Sequence, residues 1–271
     1  MKPTELLHPE QRRPSKAYLV NELRKAVFGW REQGYPGVTA TTKRLLQFWF
    51  DEDHIVNNEP VEFWFCQREA IETLIYVYEV MKKRYFIDMA RDFGAGPIQG
   101  YDPSYDQYPL YAFKMATGSG KTYVMALGIV WQYFNHKKEN KDDYTSKYLL
   151  IAGEKNVIYD RLTKDFKDGK IFRELPLVPP EWKEEFDLEV ILKEDPIHII
   201  PEAVLFLTNI QQLEERKGKK EEIEEYVDSV MELPVVYNVR DIYQENRIKE
   251  ILTSCSNIMI LKDEAHHIYN F

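Results

Sequence analysis

The sequence has 271 residues, of which 44% are hydrophobic, and its formal net charge is −9 at pH 7. A chain of this length and composition can bury a full core, as one large domain or two small ones, which excludes a collagen-like, linker-like or broadly disordered chain. The negative charge excludes a basic field over the whole molecule, so any nucleic-acid contact must come from a local groove or from parts outside this sequence.

Cysteine usage and hydropathy indicate the cellular compartment. Cys66 and Cys255 are the two cysteines and neither has a CxxC partner, which argues against a disulfide framework and against a cysteine-ligated zinc site. The first 14 residues lack the apolar core of a secretory signal, and the longest apolar run, near residues 124–131, is too short to span a bilayer. We therefore expect a soluble, cytoplasmic protein without a membrane partner.

Helical patterns dominate the first third of the chain. Apolar residues at helical spacing predict one helix that ends at a C-cap glycine, Gly34, and a second that starts near Thr41. Residues 1–60 are therefore predicted to form a small helical annex. The strongest helical pattern covers residues 64–92, and a turn-rich loop at residues 94–109 follows it.

From residue 110 onward, short apolar strands alternate with helices. The strands are predicted at residues 110–115, 147–153, 188–192, 203–209 and 257–264, and the helices from residue 121 and at residues 156–166. This alternation predicts an α/β fold in which helices cover both faces of a parallel sheet. Residues 61–271 would form this lobe, with insertions near residues 168–201 and 214–256. The charged run at residues 214–226 is interpreted as a solvated helix face.

The central motif is a glycine-rich stretch between a predicted strand and a predicted helix. Glycines let the backbone curl so that several N–H groups face one anion at the positive end of the following helix, which predicts a phosphate-binding loop. Lys121 would contact the β- and γ-phosphates of ATP, and the Thr122 hydroxyl would bind Mg²⁺. The alternative is a glycine-rich turn without a ligand. The candidate loop consists of Thr117, Gly118, Ser119, Gly120, Lys121 and Thr122.

The residue at the start of this loop narrows the class of protein. The general pattern has a glycine where this chain has Met115. The stretch MATGSGKT, residues 115–122, resembles the first ATPase motif of superfamily 2 helicases and translocases, in which that position is relaxed. Kinases and GTPases with a phosphate loop usually keep the glycine, so the motif favours the helicase class.

Two adjacent carboxylates follow the last predicted strand. Asp263 and Glu264 would lie at its carboxyl end, the edge at which open α/β sheets bind ligands. Asp263 would hold the Mg²⁺ shell, and Glu264 would polarise the attacking water. The stretch DEAH resembles the second motif of DEAH-type superfamily 2 proteins, which implies that His266 couples the ATP site to another lobe. A metal site at His266 and His267 is disfavoured, because neighbouring side chains point apart and no third histidine or cysteine is near.

Three further stretches resemble motifs of the same superfamily. Gln67 resembles its adenine-reading glutamine, and a glutamine amide offers both a donor and an acceptor to adenine. Residues 156–166, which contain Arg161, and the strand end with Thr208 and Asn209 lie where the family has its nucleic-acid motifs. Thr208 and Asn209 could hydrogen-bond a phosphate backbone without reading bases. An ordinary polar residue on a helix and plain strand-end turns are the alternatives.

Taken together, these motifs resemble the helicase subunit of type III restriction enzymes and related phage-defence DEAD/DEAH helicases over residues 60–271. The resemblance implies a P-loop NTPase with a RecA-like parallel sheet, ATP and Mg²⁺ as cofactors and double-stranded DNA as partner. A methyltransferase or nuclease subunit is a further implied partner. Glu154 and Lys155 depart from the Pro-Asn that the family often has after its second strand.

The end of the sequence bears on the expected activity. It stops shortly after the acidic motif, so we expect the N-terminal part of a longer protein, without the second lobe whose arginines complete the ATP site. Such a lobe would bind ATP and Mg²⁺ and hydrolyse ATP slowly or not at all. Two other functions stay open: a non-catalytic module whose assembly ATP switches, and a DEAH-type RNA helicase. The intact Lys121, Thr122, Asp263 and Glu264 argue against the first.

Overall fold

The computed structural model describes residues 8–93, 108–139, 142–153, 156–196, 200–209, 255 and 257–263. The chain divides into two compact units. Unit 1 consists of Met1–Glu139 and Glu174–Lys183, and unit 2 consists of Asn140–Arg173 and Glu184–Phe271. The boundary between annex and lobe that we predicted at residue 60 stays a prediction, and unit 1 contains described residues from both sides of it.

Unit 1 is mainly helical. Its helices are α1 (Tyr18–Glu32), α2 (Ala40–Asp51), α3 (Phe65–Ile75), α4 (Phe86–Asp92) and α5 (Lys121–Lys138), and its two short antiparallel strands are β1 (His54–Val56) and β2 (Glu59–Val61). The predicted helices near residue 18, near residue 41 and from residue 121 are confirmed. Thr39 caps α2, because its side chain accepts a hydrogen bond from the Thr42 backbone N–H.

The single helix predicted over residues 64–92 is wrong. A π-helical turn, Tyr76–Val80, follows α3, and the chain leaves the helix before α4 begins at Phe86. Lys82 has a φ of 55°, in the left-handed region, so its backbone cannot continue a right-handed helix. The apolar periodicity predicted the buried faces of α3 and α4, but it did not predict the break between these two helices.

The strand predicted at residues 110–115 is also wrong. These residues form no strand, and no strand that the structure describes pairs with them. Leu110 and Phe113 are exposed, whereas a central parallel strand would bury both. A short apolar run alone cannot distinguish a strand from an extended surface segment, because a strand is defined by its pairing partner.

A buried ion-pair cluster holds α1 against α3. The Glu72 carboxylate is fully buried and accepts hydrogen bonds from Arg31 Nε at 2.9 Å, Arg68 Nε at 2.8 Å and the Tyr35 hydroxyl at 2.7 Å. Burial, and then the neighbouring Glu72 carboxylate, raise the pKa of Tyr35 above its ordinary value, so the phenol stays protonated as a donor. The position of α3 is therefore fixed by charge-assisted hydrogen bonds as well as by apolar packing.

A second buried carboxylate joins α2, the π-helical turn and α5. Glu79 Oε2 accepts hydrogen bonds from Thr42 Oγ1 at 2.8 Å and from Trp131 Nε1 at 3.2 Å. Asn135 Nδ2 donates to the same threonine oxygen at 2.9 Å. These contacts satisfy polar groups inside an otherwise apolar core, which includes the fully buried Trp49. They also fix α5, the helix that the phosphate loop precedes.

Unit 2 contains a four-stranded parallel sheet, as predicted. Its strands lie in the order β4 (Glu189–Leu192), β5 (Val204–Asn209), β3 (Lys147–Ala152) and β6 (Met259–Lys262). β4 lies inside the stretch that we predicted as an insertion at residues 168–201. The charged run at residues 214–226 lies outside the described residues.

Helix α6 (Asn156–Phe166), the next element after β3, packs against β3 and β5 of unit 2. Tyr159, Leu162 and Phe166 form its buried face at helical spacing, as amphipathic patterning requires. A short helix, α7 (Lys170–Glu174), comes next along the chain. Because the sheet is parallel, β3, β5 and β6 end at the same edge, and α6 starts there. None of the described helices is long and apolar enough to cross a membrane.

Candidate nucleotide site

The candidate phosphate loop is a tight turn that leads into α5. Gly118 has a φ of 78° and Gly120 a φ of 81°, and Gly120 is the N-cap residue of α5. Both angles lie in the left-handed region, which residues with a Cβ rarely adopt. The two glycines therefore allow a tight turn directly before the N-terminus of α5.

Gln67 of α3 packs directly against this turn. Its Nε2 donates to the Ser119 carbonyl oxygen at 3.0 Å, and its Oε1 accepts from the Trp64 backbone N–H at 2.9 Å. The side chain is 4% exposed. A Cβ placed on Gly120 would lie 2.1 Å from Gln67 Nε2, so a side chain at this position would displace Gln67 as well as strain the left-handed backbone. The sequence predicted Gln67 as a nucleotide contact but did not predict that it holds the loop.

The remaining residues of the loop differ in accessibility. Thr117 is exposed, whereas Lys121 and Thr122, the first two residues of α5, are partly buried. Ser119 is buried, and both its N–H and its hydroxyl donate to the Ala116 carbonyl oxygen, at 3.2 Å and 2.6 Å. A helix N-terminus with a lysine at its first position suits a phosphate group, so the residues present fit ATP.

The acidic site in unit 2 lies at the carboxyl edge of the sheet. Asp263 directly follows β6, and its backbone N–H donates to the Ile151 carbonyl oxygen at 3.1 Å, which extends the ladder with β3 by one bond. Its side chain is 2% exposed, and Oδ2 lies 2.6 Å from Arg161 Nη2 of α6. A carboxylate at this edge fits the predicted role in holding Mg²⁺.

The ion pair joins two residues that the sequence analysis treated separately. Asp263 was predicted to hold Mg²⁺ and Arg161 to contact nucleic acid, and the structure places them in contact. The Arg161 side chain is 49% exposed, so it pairs with a buried carboxylate while part of its guanidinium reaches the surface. Their proximity follows from the topology of the sheet. β3 and β6 are neighbouring parallel strands, and α6 follows β3 along the chain.

Thr208 and Asn209, the other predicted nucleic-acid contacts, are buried at the end of β5. Asn209 pairs in register with Ala152, and its buried Oδ1 has no hydrogen-bond partner among the residues that the structure describes. An unsatisfied buried amide oxygen is rare in folded proteins and marks this strand end as a place where a donor group would be favourable. Contact of either side chain with a nucleic acid stays a proposal.

Two further predicted residues, Glu264 and His266, lie outside the described residues, as does His267. Among the residues that the structure does describe, no group of three or more histidine, cysteine, aspartate or glutamate side chains could hold a metal ion. The role of Asp263 in binding Mg²⁺ stays a proposal.

Comparison with known proteins identifies one relationship. A family model described as the res subunit of type III restriction enzymes matches residues 61–270. The match includes the phosphate loop, Gln67 and Asp263, and it starts at the last residue of β2. No curated protein and no solved structure matches the chain.

Proposed function

The chain belongs to the family of type III restriction enzyme res subunits, and from this premise we propose that it is the ATP-binding lobe of a DNA translocase that serves restriction or phage defence. The family comprises superfamily 2 helicases with a RecA-like α/β fold, so the chain is an ATP-dependent helicase-type domain. Members of the family generally use ATP and Mg²⁺ and bind nucleic acid.

One observation supports the proposal most directly. Inside the matched region, a loop with two left-handed glycines leads into the N-terminus of an 18-residue helix whose first residue is Lys121. The partial positive charge of a helix N-terminus and the lysine ammonium together favour a polyphosphate. We therefore assign phosphate binding to the backbone of residues 117–120 and to Lys121.

The remaining candidate residues are assigned to Mg²⁺ binding, to hydrolysis and to adenine contact. Thr122 and Asp263 would hold Mg²⁺, which neutralises the charge that develops on the phosphates. Glu264 would polarise the attacking water, and His266 would couple the site to a second lobe. Gln67 uses one amide N–H on Ser119, so its second N–H and second oxygen lone pair are the groups left to contact adenine.

We place nucleic-acid contacts at the carboxyl edge of the sheet, with Arg161, Thr208 and Asn209. We expect binding of ATP and Mg²⁺ to be measurable on this chain, because the phosphate loop and Lys121 are present in it. DNA cleavage and methylation would reside elsewhere in the protein or in nuclease and methyltransferase partners. The natural site of this activity is the cytoplasm.

The test is steady-state ATP hydrolysis by the full-length protein with duplex DNA or RNA. Stimulation by duplex DNA that is lost in a Glu264→Gln variant, while ATP binding stays, supports the proposal. Stimulation by RNA alone would identify an RNA helicase. ATP binding without any stimulated hydrolysis would identify a module in which ATP controls assembly.

A further inference from the structure

A basic cleft lies in unit 1, outside the region that matches the family. It is formed by the segment before α1 and by the first turns of α1, and its volume is 270 Å³. The residues that line it include four cations, one carboxylate and one aromatic residue: Arg12, Arg13, Arg24, Lys25, Glu22 and Tyr18. The nucleotide site described above uses none of these residues.

The charge of this segment contrasts with that of the whole chain. Residues 8–25 contain five lysines and arginines but only two acidic residues, whereas the complete sequence has a net charge of −9. A concentration of positive charge on one face of an acidic protein is the electrostatic pattern expected of a local site for polyanions.

Two of the arginines in the cleft are held close together. Arg12 and Arg24 share a single carboxylate, that of Glu69 in α3, with Arg24 Nε 3.8 Å from Glu69 Oε2. Burial, and then the nearby charge of Arg12, lower the pKa of Arg24, as expected where a second cation is held close. Arg13 is exposed and forms no ion pair with any residue that the structure describes. An anion in the cleft would therefore relieve repulsion between cations.

The cleft also presents an aromatic surface. Tyr18 is the first residue of α1, and 56% of it is exposed. The Lys25 side chain is 62% exposed and forms an ion pair with Glu22, 2.8 Å away on the same helix, a weak surface interaction that a phosphate could replace. Proteins that bind single strands combine cations along the backbone with aromatic rings on which bases stack.

We propose that this cleft binds a single-stranded nucleic acid, with Arg13, Arg24 and Lys25 on the phosphates and a base stacked on Tyr18. The inference rests on the proposed function, because a translocase supplies the nucleic acid. The location is suited to that function, since α3 carries both Glu69, which contacts the cleft arginines, and Gln67, which contacts the phosphate loop.

Fluorescence anisotropy with a labelled oligothymidine tests the proposal on the full chain. The charge reversal Arg13→Glu/Lys25→Glu should weaken binding at least tenfold, because it removes two phosphate contacts and adds repulsion. Lys43→Glu/Lys183→Glu makes the same change of charge at exposed residues of unit 1 outside the cleft and should have less than a twofold effect. Removing two contacts with Arg13→Ala/Lys25→Ala should lower the slope of log affinity against log salt by about 1.4.

Stacking is tested separately at Tyr18. Tyr18→Phe should bind the oligothymidine like the wild type, whereas Tyr18→Ala should lose roughly tenfold in affinity, or about 1.4 kcal/mol, as expected for one stacked base. Equal losses in the two charge-reversed proteins would overturn the proposal, since net charge alone would then explain binding. No effect of Tyr18→Ala, or equal loss of duplex and single-strand binding in the Arg13→Glu/Lys25→Glu variant, would overturn the single-strand assignment.

The failure of this proposal can be told apart from failure of the proposed function. ATP binding that depends on Lys121 reports the nucleotide site and does not involve the cleft. A chain that binds ATP in this way but fails to bind oligothymidine contradicts the cleft proposal alone.

Discussion

Gln67 Nε2 lies 3.0 Å from the Ser119 carbonyl oxygen, so a side chain of α3 is bonded to the backbone of the phosphate loop. The same amide accepts the N–H of Trp64, at the N-cap position of α3. The loop and the start of α3 are therefore fixed by one side chain, and a change at Gln67 alters both.

The first prediction concerns Gln67→Glu. A carboxylate can still accept from the Trp64 N–H but cannot donate to Ser119, so two oxygens would face each other in a buried contact. We expect affinity for ATP to fall about tenfold, the equivalent of one lost hydrogen bond of roughly 1.5 kcal/mol. Calorimetric titration measures it. Gln33→Glu makes the same chemical change at an exposed position and should leave affinity unchanged; equal losses would mean that charge, not the Ser119 contact, is responsible.

The second prediction compares alanine at the two glycines of the loop. Gly118→Ala and Gly120→Ala both place a Cβ at a left-handed φ, at a cost of about 1–2 kcal/mol. A Cβ at Gly118 meets nothing within 4 Å, whereas one at Gly120 meets Gln67. Gly120→Ala should therefore destabilise the chain more than Gly118→Ala in urea denaturation.

A double variant separates backbone strain from the steric clash. Gly120→Ala/Gln67→Ala removes the side chain that the new methyl group would strike. The double variant should lose less free energy of unfolding than the sum of the losses in the two single variants. Strict additivity would show that the clash with Gln67 does not determine the effect.

The third prediction concerns Arg161→Ala. The change removes the guanidinium that pairs with the buried Asp263 carboxylate, and we expect the free energy of unfolding to fall by roughly 2 kcal/mol, below the value for a fully buried pair because Arg161 is half exposed. Thermal unfolding measures it.

Mg²⁺ should restore more stability to this variant than to the wild type, because the metal would take the place of the guanidinium. Lys164→Ala, an exposed change on the same helix, should show neither effect. A Mg²⁺ response equal to that of the wild type would argue against metal binding at Asp263.

The fourth prediction concerns the buried carboxylate of α3. Glu72→Ala leaves Arg31 and Arg68 facing each other without their shared partner, so we expect the free energy of unfolding to fall by about 3–5 kcal/mol. Chemical denaturation measures the loss. The exposed Glu32→Ala provides the control and should change stability by less than about 0.5 kcal/mol.

Tyr35 gives a prediction for alkaline pH. Burial, and then the Glu72 carboxylate, raise the pKa of Tyr35 in the folded chain. In the unfolded chain the Tyr35 hydroxyl ionises at about pH 10, as in an ordinary tyrosine. The folded chain thus keeps the Tyr35 proton to a higher pH than the unfolded chain does. The contribution of Tyr35 to stability is therefore complete below pH ~10 and is lost as the pH rises above that value. Tyr35→Phe should reduce the fall in stability at high pH, and the exposed Tyr18→Phe should not; equal profiles for Tyr35→Phe and the wild type would contradict the assignment.

The sequence was sufficient to predict features that depend on local pattern. The parallel strands β3, β5 and β6, helix α6 and the start of α5 at Lys121 are all apolar runs or periodic stretches with clear ends. The break at Lys82 was not predictable, because helical periodicity continues on both sides of it. The strand expected at residues 110–115 failed because pairing is not a property of a single segment.

The contacts of the candidate site depended on tertiary structure. Motifs identified Gln67, Arg161 and Asp263 as separate functional residues, but sequence spacing cannot show that Arg161 faces Asp263 or that Gln67 faces Ser119. The first pairing could have been anticipated from the predicted sheet, since neighbouring parallel strands end at one edge. The second could not, because it depends on how α3 packs beside the loop.

The most direct test of the account is calorimetric titration of the chain with ATP in the presence of Mg²⁺, beside its Lys121→Ala variant. The account predicts one binding site per chain in the wild type and loss of binding in the variant, because the lysine supplies the positive charge opposite the phosphates. Binding of equal strength in both proteins would contradict the assignment of residues 117–122 as the phosphate loop.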